Sequence, residues 1–122
     1  MKYQHTVKFV RVAPKKVRIF AKGLKGLEVK AAEDYLLVQK QKSAVLIGKA
    51  LKAALNNAEQ EGVKTDGAKV LAVSANKGPV FMRRWIRARG RALPKRKPTA
   101  HITITIGTKE QKAKAESKKD SK

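Results

Sequence analysis

Two segments near the ends of the chain alternate between apolar and polar residues. One face of the first carries Tyr3, His5, Val7 and Phe9, and one face of the second carries Ile102, Ile104 and Ile106. A period of two is typical of half-buried strands. The pattern therefore predicts an N-terminal strand that ends near Val12 and a C-terminal strand with its isoleucines in the core. His101 is predicted to be a polar group on the face of that second strand.

Between these strands, apolar residues recur at helical spacing in three segments. Pro14 suits the first position of a helix, because the N–H group that it lacks would have no partner there. The apolar contacts predicted for this helix are Val17, Ile19, Phe20 and Leu24. A short helix is predicted over 28–37, with Ala31, Ala32, Tyr35 and Leu36 towards one side. A longer helix is predicted from Ser43, as N-cap, to Glu59, with an apolar stripe of Ala44, Ile47, Leu51, Ala54, Leu55 and Ala58.

A third strand is predicted over 70–75, and the residues 76–79, Asn-Lys-Gly-Pro, must bend, bulge or end it. Two arrangements are compatible with the basic segment after Pro79. Either Gly78-Pro79 is a hairpin turn and the next residues lie on a small sheet, or the chain turns near Arg89-Gly90. In the second arrangement, arms of about ten to twelve residues would reach roughly 30–40 Å at about 3.3 Å per residue. We favour the second arrangement.

These elements predict an α+β fold: a small antiparallel sheet packed with three helices, plus a long protruding basic β-hairpin. The length of 122 residues fits one domain. We expect a single RNA-binding domain over 1–109, which includes an extended hairpin at about 77–98. The basic tail 110–122 has no apolar period and is predicted to be disordered.

Charge is divided by segment. The formal net charge is +21, and residues 67–109 contain eleven Lys and Arg, six of the eight arginines among them, and no acid. Residues 1–27 contain eight bases and no acid, whereas 28–66 contain six of each. A surface that faces water balances its charges, and a surface that faces a polyanion does not. The helical segment is therefore predicted to be the structural body, and the N-terminal segment and the hairpin to be binding surfaces.

The choice of arginine in the hairpin favours RNA as the partner. A guanidinium group binds phosphate oxygens in pairs and stacks on bases, whereas an ammonium group is a compact, hydrated charge. The apolar hairpin residues Val80, Phe81, Trp85 and Ile86 have three possible roles: part of the core, a staple between the strands, or packing against bases and sugars. We favour the staple.

The sequence lacks the residues that several classes of function require. The chain has no cysteine, and its two histidines, His5 and His101, are far apart, so no metal site is predicted. The nine acids form no catalytic pair, and neither a glycine-rich phosphate loop nor a Ser-His-Asp arrangement occurs. No window approaches the roughly eighteen apolar residues of a membrane span. We expect neither an enzyme nor a cofactor.

Four motifs carry a resemblance to a known family. They are 11–16, Arg-Val-Ala-Pro-Lys-Lys; 57–59, Asn-Ala-Glu; 87–92, Arg-Ala-Arg-Gly-Arg-Ala; and 99–104, Thr-Ala-His-Ile-Thr-Ile. Their order and the order of the predicted elements resemble the large-subunit ribosomal protein twenty-two family, universal and bacterial-type, over roughly residues 9–106. The resemblance implies a body on the surface of the large ribosomal subunit and a hairpin that reaches the wall of the nascent-peptide exit tunnel.

The resemblance also implies partners and site residues. The partners would be large-subunit rRNA, neighbouring ribosomal proteins and the nascent polypeptide, with no homo-oligomer. The protein would be ribosome-bound in the cytoplasm, or in an organelle. The tunnel tip would consist of Arg87, Ala88, Arg89, Gly90, Arg91 and Ala92. The residues expected to contact rRNA are Arg11, Lys15, Lys16, Arg18, Lys77, Arg83, Arg84, Arg87, Arg89, Arg91, Lys95, Arg96 and Lys97.

An architectural DNA-binding protein is the alternative from another class, because basic β-arms also enter DNA grooves. Such arms often end in an apolar wedge, whereas the segment 87–92 alternates arginine with small residues. The composition of the tip therefore favours the ribosomal interpretation.

Overall fold

The computed structural model describes residues 2–108. Its strands are β1 (Lys2–Val10), β2 (Lys69–Lys77), β3 (Phe81–Ile86), β4 (Ala92–Lys97) and β5 (Ala100–Gly107), and its helices are α1 (Pro14–Leu24), α2 (Val29–Val38) and α3 (Lys42–Gln60). The α+β class, the three helices and the basic hairpin are confirmed. The prediction for the tail 110–122 lies outside the described residues.

The body is a three-stranded antiparallel sheet in the order β1-β5-β2, with helices on one face. The central strand β5 buries Ile102, Ile104 and Ile106 almost completely, as its alternation predicts. The core between sheet and helices also contains Val17, Phe20 and Leu24 from α1, Leu36 from α2, and Ile47, Leu51 and Ala54 from α3. On the open face, the hydroxyl groups of Thr6 and Thr103 are 3.1 Å apart, bonded across β1 and β5.

The N-terminal strand differs from its predicted pattern at one end. β1 ends at Val10 rather than near Val12, and its register with β5 shifts between Val7 and Val10. Phe9 lies in this bulge with φ of 57° and is exposed, although the alternation places it on the core face. Its N–H donates to His101 Nδ1 at 3.1 Å, and the two rings meet edge to face. The extra residue of the bulge turns Phe9 away from the core.

Four predictions about individual helix positions are wrong. Ile19 is 67% exposed, because the buried stripe of α1 runs through Val17, Phe20, Ala21 and Leu24 on another side of the helix. Ala31 and Tyr35 are exposed for the same reason, since α2 buries Val29, Ala32 and Leu36. Ser43 is not the N-cap of α3: the helix begins at Lys42, and Ser43 is buried in its first turn.

Candidate RNA interface

The hairpin continues two strands of the sheet beyond the body. β2 leads into β3 and β4 leads into β5, while β3 and β4 pair only with each other. The body ladder ends at the pair Lys77↔Ala100, and the β3–β4 ladder begins at Phe81↔Lys97. Pro79 and Pro98 lie in the gap, where a residue without an N–H cannot donate to a ladder. The turn therefore lies near Arg89-Gly90, as favoured, and not at Gly78-Pro79.

The gap at the root of the hairpin is closed by a second set of contacts. The N–H of Gly78 donates to the carbonyl oxygen of Thr99 at 2.9 Å, and the buried Thr99 hydroxyl donates to the carbonyl oxygen of Pro79 at 2.5 Å. A Cβ at position 78 would lie 2.5 Å from Thr99 Oγ1 and 3.2 Å from its backbone. Glycine is therefore required here for close approach, and the root of the hairpin is tied to the body.

The regular ladder of the hairpin has six residue pairs, and the predicted arms of ten to twelve residues also include the gap at the root and the loop at the tip. At about 3.3 Å per residue this ladder is roughly 20 Å long. Every residue from Phe81 to Lys97 is exposed, so the role of core is excluded for Phe81, Trp85 and Ile86. Trp85 lies directly opposite Leu93, which is the cross-strand position that a staple requires.

Both faces of the ribbon carry cations. The pairs Phe81↔Lys97, Arg83↔Lys95 and Trp85↔Leu93 lie on one face, and the pairs Met82↔Arg96, Arg84↔Pro94 and Ile86↔Ala92 lie on the other. Arg83 is thus directly opposite Lys95, and like charges in this position are destabilising. A ribbon that docks on protein would have one apolar face. This one is suited to anions on both sides.

The tip is a tight loop over residues 87–91. The Arg87 N–H donates to the carbonyl oxygen of Arg91 at 2.7 Å. Arg89 and Gly90 both have left-handed backbone, with φ of 60° and 68°. Gly90 thus allows the reversal, as expected, while Ala92 pairs with Ile86 and belongs to the arm. Below the loop, Arg87 and Lys95 lie 5.1 and 5.0 Å from the centroid of the Trp85 ring, within reach of cation–π attraction.

A groove of about 890 Å³ lies between the root of the hairpin and the first turns of α1 and α3. Among the described residues that line it, six are cationic and none is acidic: Arg11, Lys16, Lys42, Arg83, Arg96 and Lys97. The Lys42 ammonium donates to the carbonyl oxygen of Arg11 at 3.4 Å, which joins two sides of the groove. We call this feature the root groove. It brings together cations from segments that are about seventy residues apart in the sequence.

Two helix N-termini add to the positive potential of the root groove. Residues of the first turns of α1 and α3 line it, and within the described chain neither Ala13 nor Gln41 caps its helix through a side chain. Neither first turn contains an acidic residue. The dipole of a helix start favours anions. In α1 this effect comes from the dipole, because Pro14 has no N–H group and the Lys16 N–H donates to the carbonyl oxygen of Ala13. The groove therefore has the electrostatics of a phosphate-binding site.

The thirteen residues predicted to bind RNA are all exposed, in three groups. Arg11, Lys16, Arg83, Arg96 and Lys97 line the root groove; Arg84, Arg87, Arg89, Arg91 and Lys95 lie on the arms and tip; and Lys15, Arg18 and Lys77 lie elsewhere. The Arg18 guanidinium donates to the carbonyl oxygen of Ala75 at 3.0 Å, so it also ties α1 to β2. The structure thus places Arg11 and Lys16 of the predicted N-terminal contact in one groove with residues of the hairpin.

Sequence reasoning missed three residues of the root groove. Lys42 lies in the segment with balanced charge, which predicts a place in the structural body, while the patterns around Ile19 and Phe81 predict other contacts. The signal that could have identified Ile19 is its place beside Lys15, Lys16 and Arg18 in the sequence. Within residues 2–108, no group of acids and histidines could hold a metal ion, and no helix has the length and hydropathy to cross a bilayer.

Comparison with known proteins agrees with this geometry. The family model described as ribosomal protein L22p/L17e matches residues 5–107. A protein of Desulfosudis oleivorans named large ribosomal subunit protein uL22 is 38% identical over 107 residues, which is 88% of this chain and 94% of the relative. The proteins of that name from Desulfatibacillum aliphaticivorans and Oleidesulfovibrio alaskensis are 40% and 41% identical over 87% of this chain, and 98% and 97% of their own lengths are covered. The chain belongs to the ribosomal protein L22p/L17e family and is a structural ribosomal protein, not an enzyme.

Proposed function

We propose that this chain binds large-subunit rRNA, stabilises the folded assembly of the large ribosomal subunit, and lines the nascent-peptide exit tunnel with its hairpin tip. Residues 1–109 would act as one RNA-binding domain. The neighbouring partners would be other ribosomal proteins on the subunit surface and, at the tip, the nascent polypeptide. The observation that carries the proposal is a ribbon in which every residue is exposed and both faces carry cations.

The charges of the ribbon favour RNA on both of its sides rather than RNA against one side only. A ribbon that lies on one polyanion needs cations on one side only, and the other side would carry neutral or mixed charges as α2 and α3 do. Here Arg83, Lys95 and Lys97 lie on one face and Arg84 and Arg96 on the other. Phosphates on both sides would also relieve the repulsion between Arg83 and Lys95. A two-stranded ribbon in water is marginal without such a partner.

The composition of the tip favours a place at the wall of the exit tunnel over contact with a base-paired RNA helix. Its loop alternates arginine with Ala88 and Gly90, which have little side-chain volume. Three arginines and two small residues can hold phosphates without filling the space beyond them. This composition is compatible with a wall along which a polypeptide passes.

Two measurements test the proposal. Large subunits purified from the source after a high-salt wash should contain one copy of this chain per subunit by quantitative mass spectrometry. With a photo-crosslinking benzoylphenylalanine in place of Ala88, stalled ribosomes should yield crosslinks between the chain and the nascent peptide. The same crosslinker in place of Val38, which is exposed on α2 in the neutral segment, should yield none. A chain absent from washed subunits, or crosslinked to nascent peptide equally from both positions, contradicts the proposal.

A further inference from the structure

The root groove contains apolar surface that phosphate binding does not explain. Phe81 is 45% exposed and Ile19 is 67% exposed, and both line the groove together with the six cations. Exposure of an apolar side chain to water is unfavourable, and its cost in free energy is proportional to the exposed area. Cations alone would suffice to hold a sugar-phosphate backbone. The groove therefore has a second kind of ligand surface.

The groove is also large enough for a nucleotide. Its volume of about 890 Å³ is within the range of about 300–1,000 Å³ typical of clefts that bind small organic ligands. A paired RNA strand keeps its bases inside the helix and presents phosphates and sugars. An unpaired nucleotide can turn its base outwards and stack it on an aromatic ring, and this is the usual way in which proteins read RNA.

We propose that the root groove binds one unpaired nucleotide of rRNA, with its base against Phe81 and Ile19 and its flanking phosphates against Arg11, Lys16 and Lys42. This inference rests on the proposed function and adds the chemical class of the element that is recognised. The contacts of Thr99 with Gly78 and Pro79 fix the root of the hairpin against the body, and this root forms one side of the groove. Recognition of an extruded base would set the register of the hairpin on its RNA.

The test compares two RNA duplexes that differ by one nucleotide. One carries a single bulged 2-aminopurine, whose fluorescence reports stacking, and the other is fully paired. Stacking of one base on an aromatic side chain corresponds to about a five- to 150-fold gain in affinity. The full chain should therefore bind the bulged duplex more tightly by a factor in this range, with a change in 2-aminopurine fluorescence.

Three variants assign this preference to the groove. Phe81→Leu should remove most of it, and Phe81→Tyr should retain it. Trp85→Leu removes the other exposed aromatic residue of the hairpin, beyond the groove, and should also retain it. The two Phe81 variants should show the same far-UV circular dichroism and melting as the parent chain, and Trp85→Leu should keep the circular dichroism of the body. Equal affinity for both duplexes, or equal weakening of both by Phe81→Leu, overturns the proposal.

A second measurement separates this inference from the proposed function. With a photo-crosslinking benzoylphenylalanine in place of Phe81, the chain is assembled into large subunits and the crosslinked nucleotide is mapped by reverse transcription. A crosslink at an unpaired nucleotide supports the groove. Crosslinks at paired nucleotides alone overturn the groove while the chain remains a subunit component. A preference for the bulged duplex in a chain absent from subunits supports the groove and contradicts the proposed function.

Discussion

At the scale of single residues, Gly78 determines how the hairpin leaves the body. Its contact with Thr99 is too close for a side chain, because a Cβ at this position would lie 2.5 Å from Oγ1 and 3.2 Å from backbone atoms of Thr99. Thr99 is itself fixed by its bond to Pro79 and is buried. Neither partner can move away without loss of a hydrogen bond at the root of the hairpin.

We therefore expect Gly78→Ala to lower the free energy of unfolding by about 1–3 kcal/mol, as overpacking does in close-packed sites. Gly48→Ala is the matched control, because a Cβ there meets only Leu36 Cδ1 at 4.0 Å and lies inside α3. It should raise the free energy of unfolding by about 0.5–1 kcal/mol, since alanine is the better helix former. Urea denaturation followed by circular dichroism measures both. If both substitutions change the free energy of unfolding in the same direction, the close contact between Gly78 and Thr99 is not what requires glycine at position 78.

Residue-level environment is also where the sequence predicts least. The residues of β1 do alternate, but a period of two cannot predict the bulge at Phe9. This bulge changes the side of the sheet to which the last residues of the strand point. Ser43 has the chemistry of an N-cap, yet the helix starts two residues earlier than predicted, with Gln41 as its N-cap, and Ser43 is buried. In each case a tertiary contact overrides a local preference. Gly78 shows no distinctive local pattern, because its constraint comes from Thr99, twenty-one residues later.

At the scale of elements, the sequence is far more informative. Helices and strands bury whole faces, so their periods are repeated several times, and α2 and α3 match their predicted bounds within two residues. The hairpin is the exception, in the regularity of its ladder. Its apolar and basic residues suggest continuous arms, whereas Pro79 and Pro98 interrupt the ladder at the root and leave six pairs. A binding element that buries nothing has no repeated apolar pattern from which the extent of its ladder can be predicted.

The like-charge pair in the hairpin leads to a prediction for the free protein. Arg83→Glu places an acid directly opposite Lys95 and should stabilise the ribbon, because opposite charges in this position attract. Amide protons of β3 and β4 should then exchange more slowly by about two- to tenfold at low salt. The measurement is hydrogen exchange by NMR on the free chain.

Arg84→Glu provides the control, because it makes the same change of charge opposite Pro94. It should leave the exchange rates of β3 and β4 closer to those of the parent chain than Arg83→Glu does. Both variants should bind RNA less tightly, since each replaces a cation with an anion. Equal protection by the two substitutions would mean that net charge, not the Arg83–Lys95 pair, limits the stability of the ribbon.

At the scale of the whole molecule, charge is arranged by surface rather than by segment. The sequence divides into basic ends and a neutral middle, and this division predicts two binding regions around a structural body. The structure instead joins Arg11 and Lys16 to Arg83, Arg96 and Lys97 in one groove, and adds Lys42 from the neutral segment. Contacts between segments so distant in sequence depend on the topology of the sheet, so composition alone could not assign Lys42.

Substitution of Lys42 therefore tests whether RNA binds to the root groove or responds to the total charge of the chain. Binding of RNA releases counterions, and each neutralised phosphate contributes about 0.7–0.9 to the slope of log affinity against log salt. Lys42→Gln should reduce the magnitude of that slope by this amount. Lys52→Gln removes an equal charge from the same helix, on the side that faces α2, and should leave the slope unchanged. The slopes are measured with large-subunit rRNA between low and moderate salt. If both variants change the slope equally, RNA responds to total charge, and the root groove is not the surface that binds it.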